Sequence, residues 1–362
     1  MTTTTALQNN TFDEPRAEQF AERIGEVLDN GALSIMLSIG HRSGLLDVMA
    51  TLPPAGSGEI AAAAALSERY VREWLAAMVT GRVVEYDPAA ATYFLPREYA
   101  ASLTRDGALG NLALYGQFVA LLGSVQERVL ACFESGEGTQ YGDYPCFHQV
   151  MAEDSGQTVV SGLFEHVLPL VDDIEARLQA GIDVLDAGCG RGLALTALAR
   201  RYPNSRFVGY DLCGDAIDFA RTHARQLELD NIEFAQRDLS DFNEASRYDL
   251  ITSFDAVHDQ RDPQRLIDSL YRALRPEGVY LMQDIGGSAH LENNLDFPLA
   301  TLLYAISCCH CTPVSLGQNG SGLGTMWGWE TAQEMLRQSG FERVDRHLLP
   351  HDPTNVWFVS AK

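Results

Sequence analysis

Apolar residues recur at helical spacing from about residue 15 to 50: Phe20, Ile24, Val27 and Leu28, then Leu33, Met36 and Leu37, with Gly44 placed to end the run. Two shorter helical patterns follow at 57–65 and 67–80. In the second, Ser67 stands at the N-cap, Val71, Leu75 and Met78 share a face, and Gly81 is the stop. Alternation at 83–86 and 93–95 around a turn at 87–92 predicts a two-stranded hairpin. Residues 107–180 read as mostly helical, with Leu112, Tyr115, Val119, Leu122, Val129 and Phe133 expected in a core. A Gly-, Tyr- and Pro-rich segment, 136–145, breaks them as a hinge or lid.

After Gly181 the period changes. Short β-rich runs at 182–186, 206–211, 232–236, 248–254 and 279–284 alternate with helical patterns, which is the signature of a wound α/β sheet. The first intervening helix places Leu195, Leu198 and Ala199 inward and stops near Pro203; the next uses Ile217, Ala220, Ala224 and Leu227. Two last runs, 341–349 and 356–361, are joined by too short a turn for a parallel crossover, so they are expected to pair antiparallel. The expected organisation is a helical and winged-helix domain at 1–105, a helical connector and lid at 106–180, and an α/β domain at 181–362.

Composition narrows the function. The 362 residues, 46% hydrophobic and 21% charged, suit two globular domains. The start, MTTTTALQNN, lacks the basic and apolar regions of a secretory signal, and no run of roughly 18 uninterrupted apolar residues is present. The expectation is therefore a cytoplasmic protein without a membrane partner. Lys and Arg total 26 against 49 Asp and Glu, a formal charge of −23, which repels polyanions. The would-be recognition helix balances Arg69 and Arg72 with Glu68 and Glu73, so the wing is read as architecture and nucleic acid is not an expected partner. Seven cysteines without a CxxC pair read as free thiols.

The strongest chemical signal is Val184-Leu185-Asp186-Ala187-Gly188-Cys189-Gly190-Arg191-Gly192, a strand entering a glycine turn that opens a helix. A dinucleotide-binding domain uses a similar turn, but Asp186 would oppose a pyrophosphate there. A ligand with cationic groups fits better. S-adenosylmethionine has an ammonium and a sulfonium, a ribose and an adenine, and no phosphate. Asp211, with Leu212 beside it, ends the second strand where a carboxylate can accept from both ribose hydroxyls. Asp238 follows the third strand, placed to accept from the adenine amino group while Leu239 packs on the ring.

These residues, in this order, make residues 181–362 resemble the class I S-adenosylmethionine-dependent methyltransferases, a Rossmann-like seven-stranded fold with an antiparallel last strand. After the fourth strand, within Ser253-Phe254-Asp255-Ala256-Val257-His258-Asp259-Gln260-Arg261-Asp262, the segment His258-Asp259-x-x-Asp262 resembles the HDWSD stretch of plant-type small-molecule O-methyltransferases. That resemblance implies His258 as general base, with Gln260 and Arg261 replacing the family's tryptophan and serine. Imidazole, with a pKa of ~6.5, suits removal of an acceptor proton. Ser253 and Phe254 are expected at the cofactor, and Asp255 beside its sulfonium by charge. Phe147-His148-Gln149-Val150-Met151 matches the same family's FNxxM spacing, which implies that Phe147 and Met151, with His148, face the substrate. The likeness also implies a homodimer.

Between the fifth strand and the last helix, 285–329 forms a long insertion with a helix expected to end in Cys308-Cys309-His310-Cys311, then a Gly-rich run, 317–328, holding Met326 and Trp327. His310 and Trp327 are substrate-side candidates. Consecutive positions diverge on a helix, so no metal site is expected from the thiols, and Cys308 and Cys311 are expected on one face. The reading is a methyltransferase acting on a small molecule, oxygen favoured as acceptor. Alternatives are an S-methyltransferase, a non-methylating user of the same cofactor, and a cofactor-sensing winged-helix regulator.

Overall fold

The structure is a computed structural model that describes residues 12–362; the N-terminal stretch 1–11 read for a targeting signal lies outside the described residues. The chain divides into two compact units after Ala120.

In the first unit, α1 (Glu14–Ser43) is started by the Asp13 carboxylate, which accepts from the Arg16 backbone N–H, and is closed by Gly44 at φ 75°. Then come α2 (Leu45–Thr51), α3 (Ser57–Ala63), α4 (Glu68–Thr80) and the hairpin β1 (Glu85–Asp87) and β2 (Thr92–Phe94), followed along the chain by α5 (Arg97–Ala100) and α6 (Gly116–Ser124). Leu46, Ile60, Val71, Trp74, Leu75 and Met78 form its core, and the Trp74 indole donates to the Met36 carbonyl at 2.8 Å. On α4 the charges are already spent within the helix: Arg72 pairs with Glu68 at 3.0 Å and Arg69 with Glu73. The N-terminal part of the apolar stripe of α1 stays outside that core, with Phe20 61% and Leu28 70% exposed, while Leu33, Met36 and Leu37 pack against it. Leu112, expected in a core, is exposed; Ala113 and Leu114 of the same turn are buried instead, because the segment is a 3-10 turn and not a regular helix.

Ahead of the sheet in the second unit lie α7 (Gln126–Ser135), α8 (Phe147–Ser155) and α9 (Ile174–Ala180). On α7, Val129 is buried but Phe133 is exposed, a correction to its expected core position. The sheet is β3 (Asp183–Ala187), β4 (Arg206–Asp211), β5 (Ile232–Gln236), β6 (Tyr248–Phe254), β7 (Leu274–Ile285), β8 (Arg343–Leu349) and β9 (Asp352–Ala361), ordered β5-β4-β3-β6-β7-β9-β8. β3 to β7 run parallel, and β9 lies antiparallel to both β7 and β8. The fold is Rossmann-like with seven strands, and its order reverses between β3 and β6, where an open α/β sheet forms its ligand crevice.

Strand residues alternate between the faces. Val184 packs with Leu195 and Leu198 of α10 (Leu193–Arg201) and Ile217 of α11 (Gly214–Gln226). Its neighbour Leu185 packs on the other face with Leu266 and Ile267 of α12 (Pro263–Ala273) and Leu336 of α15 (Trp329–Gln338). Two buried faces account for the near-continuous apolar runs in the strands.

The insertion departs from its expected form. Its helix does not end at Cys311: α13 (Ala300–Ile306) passes through a π turn, Ser307–Cys311, into α14 (Thr312–Gly317). The π turn widens the helix so that the consecutive residues His310 and Cys311 are both buried, while Cys308 is exposed. Cys308 and Cys311 therefore do not share a face. The run 300–317 has the length and a mean hydropathy, 1.2, that a membrane-crossing helix requires. A third of that run is buried inside the unit, His310, Cys311 and Val314 among it.

Candidate active site

The glycine turn is forced by what surrounds it. Gly188 has φ 79°, and a Cβ there would lie 2.5 Å from the Ala256 Cβ; at Gly192, φ 67°, a Cβ would lie 2.4 Å from the Phe234 ring. Backbone N–H groups of Gly188 and Cys189 donate to the Tyr210 carbonyl at 2.8 and 3.0 Å, tying the turn to the end of β4. The Gly190 N–H donates to Asp211 Oδ2 at 2.8 Å, and Cys213 N–H to Asp211 Oδ1 at 2.8 Å. Asp211 thus holds the turn in shape and keeps lone pairs for a ligand. Beyond the turn is a cavity with about 1040 Å³ of atom-free space, part of it open to solvent, lined by Asp186, Gly188, Cys189, Gly190, Asp211, Leu212, Asp238, Leu239 and Phe254.

The fit to S-adenosylmethionine rests on charge and space. Asp186 is buried, accepts from the Thr252 hydroxyl at 2.8 Å, and forms no ion pair among the described residues. Burial pushes it up to about 7, against the pull of Thr252. Burial likewise raises Asp211, against its two backbone donors. A cationic ligand relieves both. Around Gly190 nothing lies within 4 Å of where a side chain would begin, so a nucleoside can reach the backbone. Asp238 caps the turn at Ser240 with a 2.8 Å bond and faces the same cavity.

The rest of the cavity wall comes from α8, the lid and the loop after β6: Phe147, His148, Met151, Tyr141, Asp255 and Asp259. Phe147 and Met151, one helical turn apart, both line it. Tyr141 and Asp259 are functional candidates that the sequence reading left unassigned. The Tyr141 hydroxyl donates to Asp259 Oδ2 at 2.6 Å, and burial raises that phenol well above its ordinary range. An aromatic residue inside a Gly-rich lid was the available signal. The lid is fastened to the insertion: Thr139 N–H donates to the Pro313 carbonyl at 2.8 Å, and Tyr144 hydroxyl to the Cys309 carbonyl at 2.7 Å.

Four of the expected site residues are not on the cavity wall. Ser253 is fully buried with its hydroxyl 2.6 Å from that of Tyr280, because it points to the sheet face opposite Thr252. Trp327 donates its indole N–H to Asp284 Oδ1 at 3.0 Å. His310 lies behind Phe147, with stacked ring centroids 3.9 Å apart, and burial lowers it to about 3. His258 is 2% exposed: its Nδ1 lies 2.8 Å from Asp284 Oδ1 and its Nε2 3.3 Å from Cys311 Sγ. Burial alone would lower His258, but Asp284 and Cys311 outweigh it and the imidazole is raised well above its ordinary value.

Asp255, His258 and Asp284 bring ligand-type atoms within 4.8 Å of one another. Asp284 Oδ1, however, already meets His258, the Trp327 indole and the Ile285 N–H. His258 and Asp284 thus form a hydrogen-bonded pair, with Asp255 3.7 Å from the imidazole and not bonded to it. The thiols at 308 and 309 take part in no such grouping among the described residues.

Asp186, Asp255 and Asp352 are each pushed up to about 7 by burial, whereas an aspartate in an unfolded chain ionises near ~3.9. The folded state thus retains protons that the unfolded state has lost. These three carboxyl groups are expected to make stability decline as pH rises from ~4 to about 7. Urea unfolding of the ligand-free protein across that window checks this; Asp352→Asn should flatten the slope, and a native profile already flat would refute it.

Residues 178–340 match the family described as Methyltransferase domain, and residues 31–105 the Rv2258c-like winged HTH domain. Human N-acetylserotonin methyltransferase, solved in complex with SAM, superposes with a TM-score of 0.68 at 16% identity, over 98% of this chain and 99% of that one. An O-methyltransferase family protein from Burkholderia thailandensis gives a TM-score of 0.64 at 17% identity, over 94% and 98%. At these identities the likeness is one of fold. The ubiquinone biosynthesis O-methyltransferase of Coxiella burnetii is 36% identical over 106 residues, which are 29% of this chain and 44% of that protein, so the chain spans less than half the length of that curated relative. Fold and family matches agree on a winged helix domain followed by a methyltransferase domain.

Proposed function

We propose that this protein transfers the methyl group of S-adenosylmethionine to an oxygen atom of a small molecule. The observation that carries the reading is one continuous cavity whose wall joins the glycine turn, Asp186, Asp211 and Asp238 to Phe147, Met151, Tyr141, Asp255 and Asp259. Asp211 and Asp238 would hold the ribose and adenine, Leu239 the adenine face, and Asp186 the cationic amino-acid end. Bound there, the cofactor supplies an electrophilic methyl group. The protein's part is to exclude water, orient the acceptor against aromatic walls and accept a proton.

Calorimetry with S-adenosylmethionine and S-adenosylhomocysteine tests the cofactor end. A mass-spectrometric screen of phenols, alcohols, thiols and carboxylic acids tests the acceptor. Cofactor binding with no S-adenosylhomocysteine formed from any acceptor would overturn methyl transfer, and a methylated thiol in place of an oxygen product would overturn the acceptor atom.

The lid gives a sharper expectation. Tyr141→Phe removes a hydrogen bond to a buried carboxylate, worth roughly 1.5–3 kcal/mol. The acceptor KM should rise about tenfold while cofactor affinity stays within twofold. The reverse pattern in steady-state kinetics and calorimetry would refute a role for the lid at the acceptor end.

We read the protein as a homodimer through α1, whose exposed Phe20, Ile24, Val27, Leu28, Ile35 and Ile39 recur at helical spacing. Light scattering should give twice the chain mass, falling to the monomer in Leu28→Glu; a native monomer would refute the assignment.

A further inference from the structure

We infer that Asp255, and not His258, meets the acceptor hydroxyl and takes its proton, while His258 is a positioning residue clamped behind it. The inference rests on the methyl transfer to oxygen proposed above and assigns the residue that completes it.

The geometry separates the two side chains. Asp255 lines the cavity with 20% of its side chain exposed, whereas the His258 side chain is 2% exposed. Both imidazole nitrogens are engaged, Nδ1 with Asp284 at 2.8 Å and Nε2 with the Cys311 thiol at 3.3 Å. An acceptor reaching Nε2 would have to displace a buried sulfur that also receives the Thr325 hydroxyl at 3.0 Å. Asp255 Oδ1 is turned toward His258, 3.7 Å from Nδ1, and has no hydrogen-bond partner. The carboxylate is thus steered by a charge it does not bond.

The backbone supports the same placement. Asp255 has φ 52°, a left-handed conformation in which aspartate and asparagine are the best tolerated side chains after glycine. Its N–H donates to the Gln283 carbonyl at 3.0 Å, fixing the loop to β7.

In the proposed step the acceptor oxygen forms a bond to the methyl carbon, and the carbon–sulfur bond breaks with its electron pair remaining on sulfur. The hydroxyl proton passes to the Asp255 carboxylate. The charged groups facing Asp255 are His258 from its own loop, Asp284 from β7, Asp154 from α8, and Asp259. Burial and the three carboxylates raise it and His258 opposes them, leaving Asp255 at about 7, where a carboxylate serves as an effective base near neutral pH. His258, with Nδ1 on Asp284 and Nε2 on Cys311, has neither nitrogen open to an acceptor.

Asp255→Asn keeps the shape and the permitted backbone, so S-adenosylhomocysteine affinity should match the native protein and certify the fold. Turnover should fall by ~10²- to 10⁴-fold, and the rise of kcat/KM with pH through about 7 should vanish. His258→Gln should retain that rise but move it to higher pH, because the positive charge that lowers Asp255 is gone. Independently of any substrate, carboxyl ¹³C NMR of aspartate-labelled protein should show a resonance titrating near 7 that is missing in Asp255→Asn. The inference is overturned if His258→Gln loses the pH limb while Asp255→Asn keeps it, or if the missing resonance titrates near ~4. If native protein methylates no acceptor, the methyl-transfer reading fails, and the NMR measurement still decides the state of Asp255.

Discussion

Asp211→Ala is expected to weaken S-adenosylmethionine and S-adenosylhomocysteine by about 10²- to 10³-fold in calorimetry. Two losses add. The carboxylate is the expected acceptor for both ribose hydroxyls, and hydrogen bonds to a charged group contribute roughly 1.5–3 kcal/mol each. Asp211 also clamps the Gly190 and Cys213 N–H groups at 2.8 Å. Without it, the turn must be reorganised before a ligand binds, and each 1.4 kcal/mol is about tenfold in affinity. Both ligands carry the ribose, so both should weaken alike. An affinity within threefold of native would refute the ribose assignment.

Trp357→Ala should be the most destabilising substitution in the sheet, at about 3–5 kcal/mol in the free energy of unfolding. Trp357 lies on β9 with 0% exposure, its ring centroid 5.9 Å from that of Phe254 and its indole N–H 3.2 Å from Asp352 Oδ2. Removing the indole leaves a cavity under the strand that bears Phe254, and takes one donor from a buried carboxylate. Urea unfolding followed by far-UV circular dichroism measures the change; a loss below about 1 kcal/mol would mean the site collapses without cost. Cofactor affinity should fall in parallel, since Phe254 faces the cavity.

The glycine-turn side of the cavity was legible because it is local. Asp186, Gly188, Gly190, Asp211 and Asp238 each sit at the end of a strand or in the turn after it, and period-2 runs place strand ends within a residue or two. β4, β5 and β6 begin and end where the apolar pattern does. The acceptor end was legible only in part. Phe147 and Met151 lie four apart on one helix, so spacing suffices for them. The sequence favours His258 as a base, because the groups that hold its ring, Cys311 and Asp284, lie 53 and 26 residues away in the chain.

Alternating and helical hydrophobic periods, glycine positions and carboxylates at strand ends determine by themselves a wound sheet that carries a nucleoside-binding turn, because these are short-range consequences of backbone sterics and side-chain direction. Which groups near the reacting end are accessible, paired or protonated was decided only by tertiary packing. A π turn carries Cys311 onto His258, and the loop after β6 turns Asp255 toward the cavity. Burial and charge act through space between segments far apart in the chain, so no local pattern encodes them.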